Sequence, residues 1–316
     1  IMWPEGILDM VEDRIEIQIG ETVIPIFDCD IELTSFETTG PIMFRVGSDE
    51  SDIQVEMTIN ANGAEYRLRG RQTVQVKIGT KRYALSEWFK EDPPHIYFGN
   101  GDMLLDNELF PLPEPSDQTP YDLDKIESWD WTGTNIRKES QGIKKDPDSI
   151  QRRVIDQRIA EGGFDVIYDD DGSGEVADII AIKKDGRTLS VELIHCKYSS
   201  EGLPGARVGD LYEVLGQAQK SIRWREYPQI FFQRLRSSEA RRLRRSQPSR
   251  YQLGDASIVN GWLAEWNETI YEFSVTIVQP GYSKSGANPD HLRLVSATEA
   301  FLMETWGMPL KLITSA

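Results

Sequence analysis

Apolar and polar residues alternate along three stretches of the first hundred positions: Arg14 to Ile19 (RIEIQI), Ile53 to Ile59 (IQVEMTI) and Thr73 to Ile78 (TVQVKI). A period of two puts the apolar side chains on one face, so these stretches predict half-buried, antiparallel strands. Turn signals at Asn62-Gly63 and Asn100-Gly101 separate strand-like runs. A short helix is predicted over Leu85 to Lys90. Residues 1–112 therefore read as a β-rich accessory domain. Its Trp88, Tyr97 and Phe98 are expected to pack inward, the alternative being a nucleic-acid or partner surface. Pro111, Pro113, Pro115 and Pro120 break regular structure, and residues 113–147 read as a connector whose Trp129 and Trp131 pin it to a domain surface.

The period then changes. After the capping candidates in Asp146-Pro147-Asp148-Ser149, Ile150, Val154, Ile155, Ile159 and Ala160 line one side of a helix that stops at Gly162-Gly163. Three strands are predicted next: Phe164 to Tyr168, Glu175 to Ile182 and Leu189 to Lys197. Between the first two lies an acidic turn, Asp169-Asp-Asp-Gly-Ser-Gly174, read as solvated scaffolding. A glycine-rich loop (Gly202, Gly205, Gly209) leads to a helix over Asp210 to Trp224. A strand over Ile270 to Val278, a helix over Ala297 to Thr305 and a strand over Leu310 to Thr314 complete the order. Residues 148–316 thus predict an α/β sandwich.

Composition narrows the function classes. With 35 Lys and Arg against 52 Asp and Glu, the net charge of −17 argues against nonspecific coating of nucleic acid. The charge is uneven, however. The run RLRSSEARRLRRSQPSR from Arg234 to Arg250 is strongly basic, and Arg234, Arg236, Arg241, Arg242, Arg244 and Arg245 are candidate phosphate contacts, the plainer reading being a solvated helix face. No apolar run approaches the roughly 18 residues of a membrane span, so no membrane partner is expected. The start, Ile1-Met-Trp-Pro-Glu5, lacks the features of a secretory leader, and opening on isoleucine is expected of a segment of a longer protein. Two cysteines, Cys29 and Cys196, fit a reducing cytoplasm rather than a disulfide framework. Three histidines without a Cys-x-x-Cys pair argue against structural zinc, and no P-loop or Gly-x-Ser-x-Gly elbow is present.

Two otherwise apolar strands carry ionisable residues near an end: Asp178 on one, Glu192, His195 and Lys197 on the next. Buried charge is unfavourable unless paired or bound to metal. Helix, strand, acidic turn, Asp-bearing strand, strand ending in Lys, then a helix carrying Gln217 resembles the PD-(D/E)xK, restriction-endonuclease-like nuclease superfamily over residues 148 to about 225. The spacing departs from the superfamily pattern, in which the acid stands two residues before the lysine. Here that residue is His195, and Glu192 is five before Lys197. Two geometries reconcile this. Either His195-Cys-Lys197 takes the acid-x-lysine place, as Gln-x-Lys does in Mrr-like relatives, or a β-bulge between Glu192 and Lys197 returns Glu192 to the lysine's face.

The resemblance implies a metal-dependent deoxyribonuclease. Asp178 with His195 or Glu192 would hold Mg²⁺ or Mn²⁺, and Glu175 would bind a second ion. Lys197 would orient the attacking water or stabilise charge on phosphorus, with Gln217 positioning it. DNA is the expected substrate, RNA staying open, and oligomerisation is compatible with paired nicks. Thr276 to Lys284 and the Asp210 to Gln217 helix also resemble the end region of large bacterial helicase-nucleases used against phage. That implies a cytoplasmic bacterial setting and a helicase or ATPase module in the same chain or complex. The rival readings are a nuclease fold with a degraded metal site that only binds nucleic acid, and an interaction domain that docks a partner through its acidic half.

Overall fold

The computed structural model describes residues 1, 3–4, 15–34, 40–48, 50–60, 63–97, 103–110, 119–171, 175–206 and 208–316. Arg14, Asn62, Phe98, Asn100-Gly101, the prolines at 111, 113 and 115, and residues 172–174 of the acidic turn lie outside them, as does the side chain of Tyr97. The protein is mixed α/β with several sheets. It divides into two compact units, residues 1–98 with 102–111, and residues 112–316 with 99–101.

The first unit is built from the period-two stretches. Strands β1 (Ile15–Ile19), β2 (Thr22–Pro25), β3 (Asp30–Leu33), β4 (Ile42–Gly47), β5 (Asp52–Asn60), β6 (Gly63–Arg69), β7 (Val74–Ile78) and β8 (Lys81–Ala84) form two antiparallel sheets, ordered β2-β1-β7-β8 and β3-β4-β5-β6. Helix α1 (Leu85–Glu91) follows, then a small sheet of β9 (Ile96–Tyr97), β10 (Met103–Leu105) and β11 (Glu108–Phe110). The alternation does what it predicts: Ile15, Ile17 and Ile19 are buried, and Glu16 and Gln18 between them are only half covered. Phe89 of α1 is the hub of this core, its ring 5.3 Å from Tyr66, 5.4 Å from Trp88, 5.8 Å from Phe44 and 5.9 Å from Trp3. Trp88 is therefore a core residue, not a surface platform.

The second unit is a seven-stranded mixed sheet in the order β12-β18-β17-β15-β14-β13-β16. Its strands are β12 (Ile126–Ser128), β13 (Val166–Asp169), β14 (Ile179–Asp185), β15 (Thr188–Cys196), β16 (Tyr251–Leu253), β17 (Ile270–Ser283) and β18 (Leu310–Ser315). The described part of the stretch read as a connector is built into this sheet. Strand β12 pairs in parallel with β18, and the Trp131 indole donates to the Thr314 carbonyl at 3.2 Å. Helix α2 (Ile150–Glu161) is capped by Ser149 Oγ, which accepts the Arg152 N–H, and ends at Gly162 in a φ of 71° that favours glycine.

Ile150, Val154 and Ile155 of α2 pack on Ile179, Ala181, Ile194 and Cys196. The other face of the sheet carries α3 (Val208–Lys220), α4 (Ile222–Glu226), α5 (Pro228–Arg244), α6 (Ala256–Ala264) and α7 (Pro289–Trp306). The single helix expected over 210–224 is thus two, parted at Ser221, and two further helices, α5 and α6, with the edge strand β16 between them, stand where the sequence pattern placed only a basic run. Both faces of the central strands are covered, so β13, the first four residues of β14 and all of β15 but Thr188 and Ser190 are buried.

Candidate metal centre at one edge of the sheet

Antiparallel pairing brings three chain segments to one edge. Asp169 at the end of β13 pairs with Ile179 at the start of β14, and Ile179 pairs with Ile194 near the end of β15. The acidic turn, Asp178 and Lys197 therefore converge without any side chain having to reach far.

Asp178 is buried. Its Oδ1 accepts from Gln151 Nε2 of α2 at 2.9 Å, and its Oδ2 from the Cys196 N–H at 2.8 Å. Burial, then the carboxylates of Glu175 and Glu139, hold its carboxyl well above the usual range, and the two hydrogen bonds only partly offset them. Oxygens of Asp171, Glu175 and Asp178 lie within 4.8 Å of one another, the one such acidic, histidine or cysteine group among the described residues. An all-oxygen set suits a hard divalent cation such as Mg²⁺ or Mn²⁺. Such an ion would also relieve the charge that burial and like neighbours disfavour on Asp178.

Lys197, just past β15, is buried, with Nζ 3.9 Å from Glu139 and 4.7 Å from the centre of the Tyr198 ring. Glu139 comes from the segment before α2, and its Oε2 also accepts the Tyr198 N–H at 2.8 Å. The same segment braces the acidic turn. Gln141 Nε2 donates to Asp169 at 2.7 Å and Ser140 Oγ to Asp171. From the other side Arg250 Nη1 donates to the carbonyls of Asp169 and Asp171, both at 3.0 Å, and lies 3.7 Å from Asp170. Asp169 and Asp170 are buried, not solvated, and burial raises the pKa of both. Asp169 to Asp171 are a folded part of the site because a cation and an amide reach them from two sides.

The remaining expected ligands sit elsewhere. Pairing of β15 with β14 and β17 runs unbroken through Glu192 to Ile194, so there is no bulge to turn Glu192 toward Lys197. Glu192 instead meets Arg158 of α2 at 2.8 Å and accepts from Thr276 Oγ1 at 2.6 Å. His195 points to the opposite face of the sheet, its Nε2 2.7 Å from Ser221 Oγ. Glu192 is thus engaged by Arg158 and Thr276, and His195 by Ser221, rather than by the group around Asp178. Gln217 is half-buried on α3, which packs against β15 and β17. Cys196 packs in the core under α2, and burial followed by the Asp178 charge pushes its thiol pKa well up, so it is inert.

Within the basic run, Arg234 is buried with its guanidinium 5.8 Å from the Trp224 ring, Arg241 donates to Ser238, and Arg242 to the Pro248 carbonyl. Arg236, Arg244 and Arg245 are exposed. Glu139, Gln151 and Asp171 are the site residues that sequence pattern missed. No family model, no curated protein and no solved structure matches this chain. Among the described residues, no helix is long and apolar enough to cross a membrane.

Proposed function

We propose that the second unit is a metal-dependent nuclease of restriction-endonuclease-like architecture, hydrolysing phosphodiester bonds of DNA. The observation that carries this reading is the meeting of Asp171, Glu175 and Asp178 with Lys197 and Glu139 at one sheet edge. The three carboxylates would hold the cation, which supplies Lewis-acid polarisation of the phosphate and a more acidic bound water. Gln151 and the Cys196 N–H fix the orientation of Asp178, so its oxygens do not have to reorganise. Lys197 Nζ would donate to a non-bridging phosphate oxygen as water forms its bond to phosphorus and the bond to one sugar oxygen breaks, the water's proton passing through solvent to the departing alkoxide. Glu139 and the Tyr198 ring hold the ammonium in place.

Plasmid and linear DNA incubated with the full chain and Mg²⁺, Mn²⁺ or EDTA test this. Lys197→Ala is expected to slow cleavage by about 10²–10³-fold, and EDTA to stop it. Cleavage that survives both would sink the mechanism. One observation favours a second reading: no carboxylate on β15 serves the site, since Glu192 is engaged by Arg158. If DNA binds and no metal supports cleavage of DNA or RNA, the unit is a nucleic-acid-binding module on a degraded nuclease fold.

A further inference from the structure

Away from the acidic edge, a shallow cleft of about 230 Å³ opens between α5 and the end of α6. Gln229, Gln233 and Arg236 line one wall, and Leu263 and Trp266 the other. The first three follow at i, i+4 and i+7, so they form one stripe along α5. None of their side chains has a hydrogen-bond or ion-pair partner among the described residues. Arg236 differs in this from Arg234, Arg241 and Arg242, which are stacked or hydrogen-bonded. Trp266 is 45% exposed, unusual for the largest apolar side chain.

We infer that this cleft is a subsite for one unpaired base of a single-stranded nucleic acid. An indole and a guanidinium lining one cleft offer flat surfaces on which a base can stack, and stacking of this kind tolerates any base. Two side-chain amides supply donors and acceptors for the base edge. The volume is below the roughly 300–1,000 Å³ of ordinary small-molecule pockets, which suits one flat ring rather than a larger ligand. An acidic peptide fits less well. The cleft has one cation, and the exposed Glu265 and Glu268 flank Trp266, Glu265 already paired with Lys184 at 2.6 Å. One phosphate beside Arg236 is tolerated there, and a run of carboxylates is not. A base within a duplex shows no free face, so the strand must be single or locally unpaired.

The cleft is also connected to the candidate metal centre. Glu239, on the same helix, accepts the N–H of Arg250, whose guanidinium holds the acidic turn. Gln229 lies ten residues before Glu239, about 15 Å along the axis. The inference rests on the proposed function for its ligand class, nucleic acid, and not for cleavage.

The test is fluorescence anisotropy of the full chain in EDTA with a labelled oligodeoxythymidine of about twelve nucleotides and an abasic strand of the same length. Trp266→Ala is expected to weaken binding of the thymidine strand about tenfold or more, with Trp266→Phe retaining most of it, and the abasic strand to bind as weakly to wild type as the thymidine strand does to Trp266→Ala. Equal affinities for the two strands, or wild-type affinity in Trp266→Ala and Arg236→Ala, would overturn the subsite. If DNA is cleaved with Mg²⁺ yet Trp266→Ala binds normally, the subsite fails and the nuclease reading stands. If neither strand binds and no DNA is cleaved, both fail. Binding of a poly-glutamate peptide in preference to either strand would assign the cleft to a protein partner and overturn the base subsite.

Discussion

Asp178→Asn is expected to do two opposite things: abolish metal-dependent cleavage, and stabilise the metal-free protein at neutral pH. The second follows from the carboxyl's raised pKa, caused by burial and by the Glu175 and Glu139 charges. A raised carboxyl contributes stability that is fully present below about pH 4, where the group is protonated folded or unfolded. That contribution is lost as pH rises through the folded-state pKa, because the unfolded chain has already ionised freely. Asparagine keeps the shape and an oxygen that can accept from Gln151 or the Cys196 N–H, and it has no charge to bury. Thermal unfolding in EDTA should therefore fall more steeply with pH above about 4 in wild type than in Asp178→Asn. A cation bound by Asp171, Glu175 and Asp178 offsets the same charge. At about 100 times its dissociation constant it adds about 2.7 kcal/mol to the folded state, or roughly 5–10 °C in Tm for a unit of this size. That gain should appear with Mg²⁺ or Mn²⁺ in wild type and vanish in Asp178→Asn. Activity should fall about 10³-fold or more, since even ~4 kcal/mol of lost transition-state stabilisation has that effect. A variant that keeps the Mg²⁺ gain would remove Asp178 from the metal centre.

How much of this site pattern can show depends on what placed each residue. The convergence of Asp178 and Lys197 follows from chain order alone, because strand, turn and strand in antiparallel pairing must return to the same edge. Glu139 and Gln141 lie in an aperiodic stretch, and their contacts with Tyr198 and Asp169 depend on how that segment docks, which no local period encodes. The basic run misleads for a related reason. Counted as charge it is uniform, yet on a helix of 3.6 residues per turn Arg234 falls on the inner face with Phe231, Leu235 and Ser238. Burial of Asp169 and Asp170 was equally hidden, because Arg250, the cation beside them, is about eighty positions away in the chain.

Glu192 shows the opposite case: its need for a partner was legible and the partner was not. The structure supplies Arg158, with side-chain exposures of 7% for the arginine and 11% for the glutamate. Arg158→Met is accordingly expected to destabilise the protein by about 3–5 kcal/mol, because it strands a carboxylate in a dry interior with only Thr276 Oγ1 to bond it. Glu192→Gln is expected to do less harm, since Arg158 keeps its 2.7 Å contact with Glu161. The double variant Arg158→Met with Glu192→Leu should recover most of the loss, as replacing a whole buried pair by apolar groups is often nearly neutral. Urea unfolding measures all three. The same proteins separate a structural Glu192 from a metal-binding one: with Glu192 facing α2, the Mg²⁺-dependent gain in Tm should be unchanged in Glu192→Gln. A single Arg158→Met variant within about 1 kcal/mol of wild type would mean that water or another group satisfies Glu192. Loss of the Mg²⁺ gain in Glu192→Gln would return that carboxylate to the metal centre and require β15 to turn over at its end.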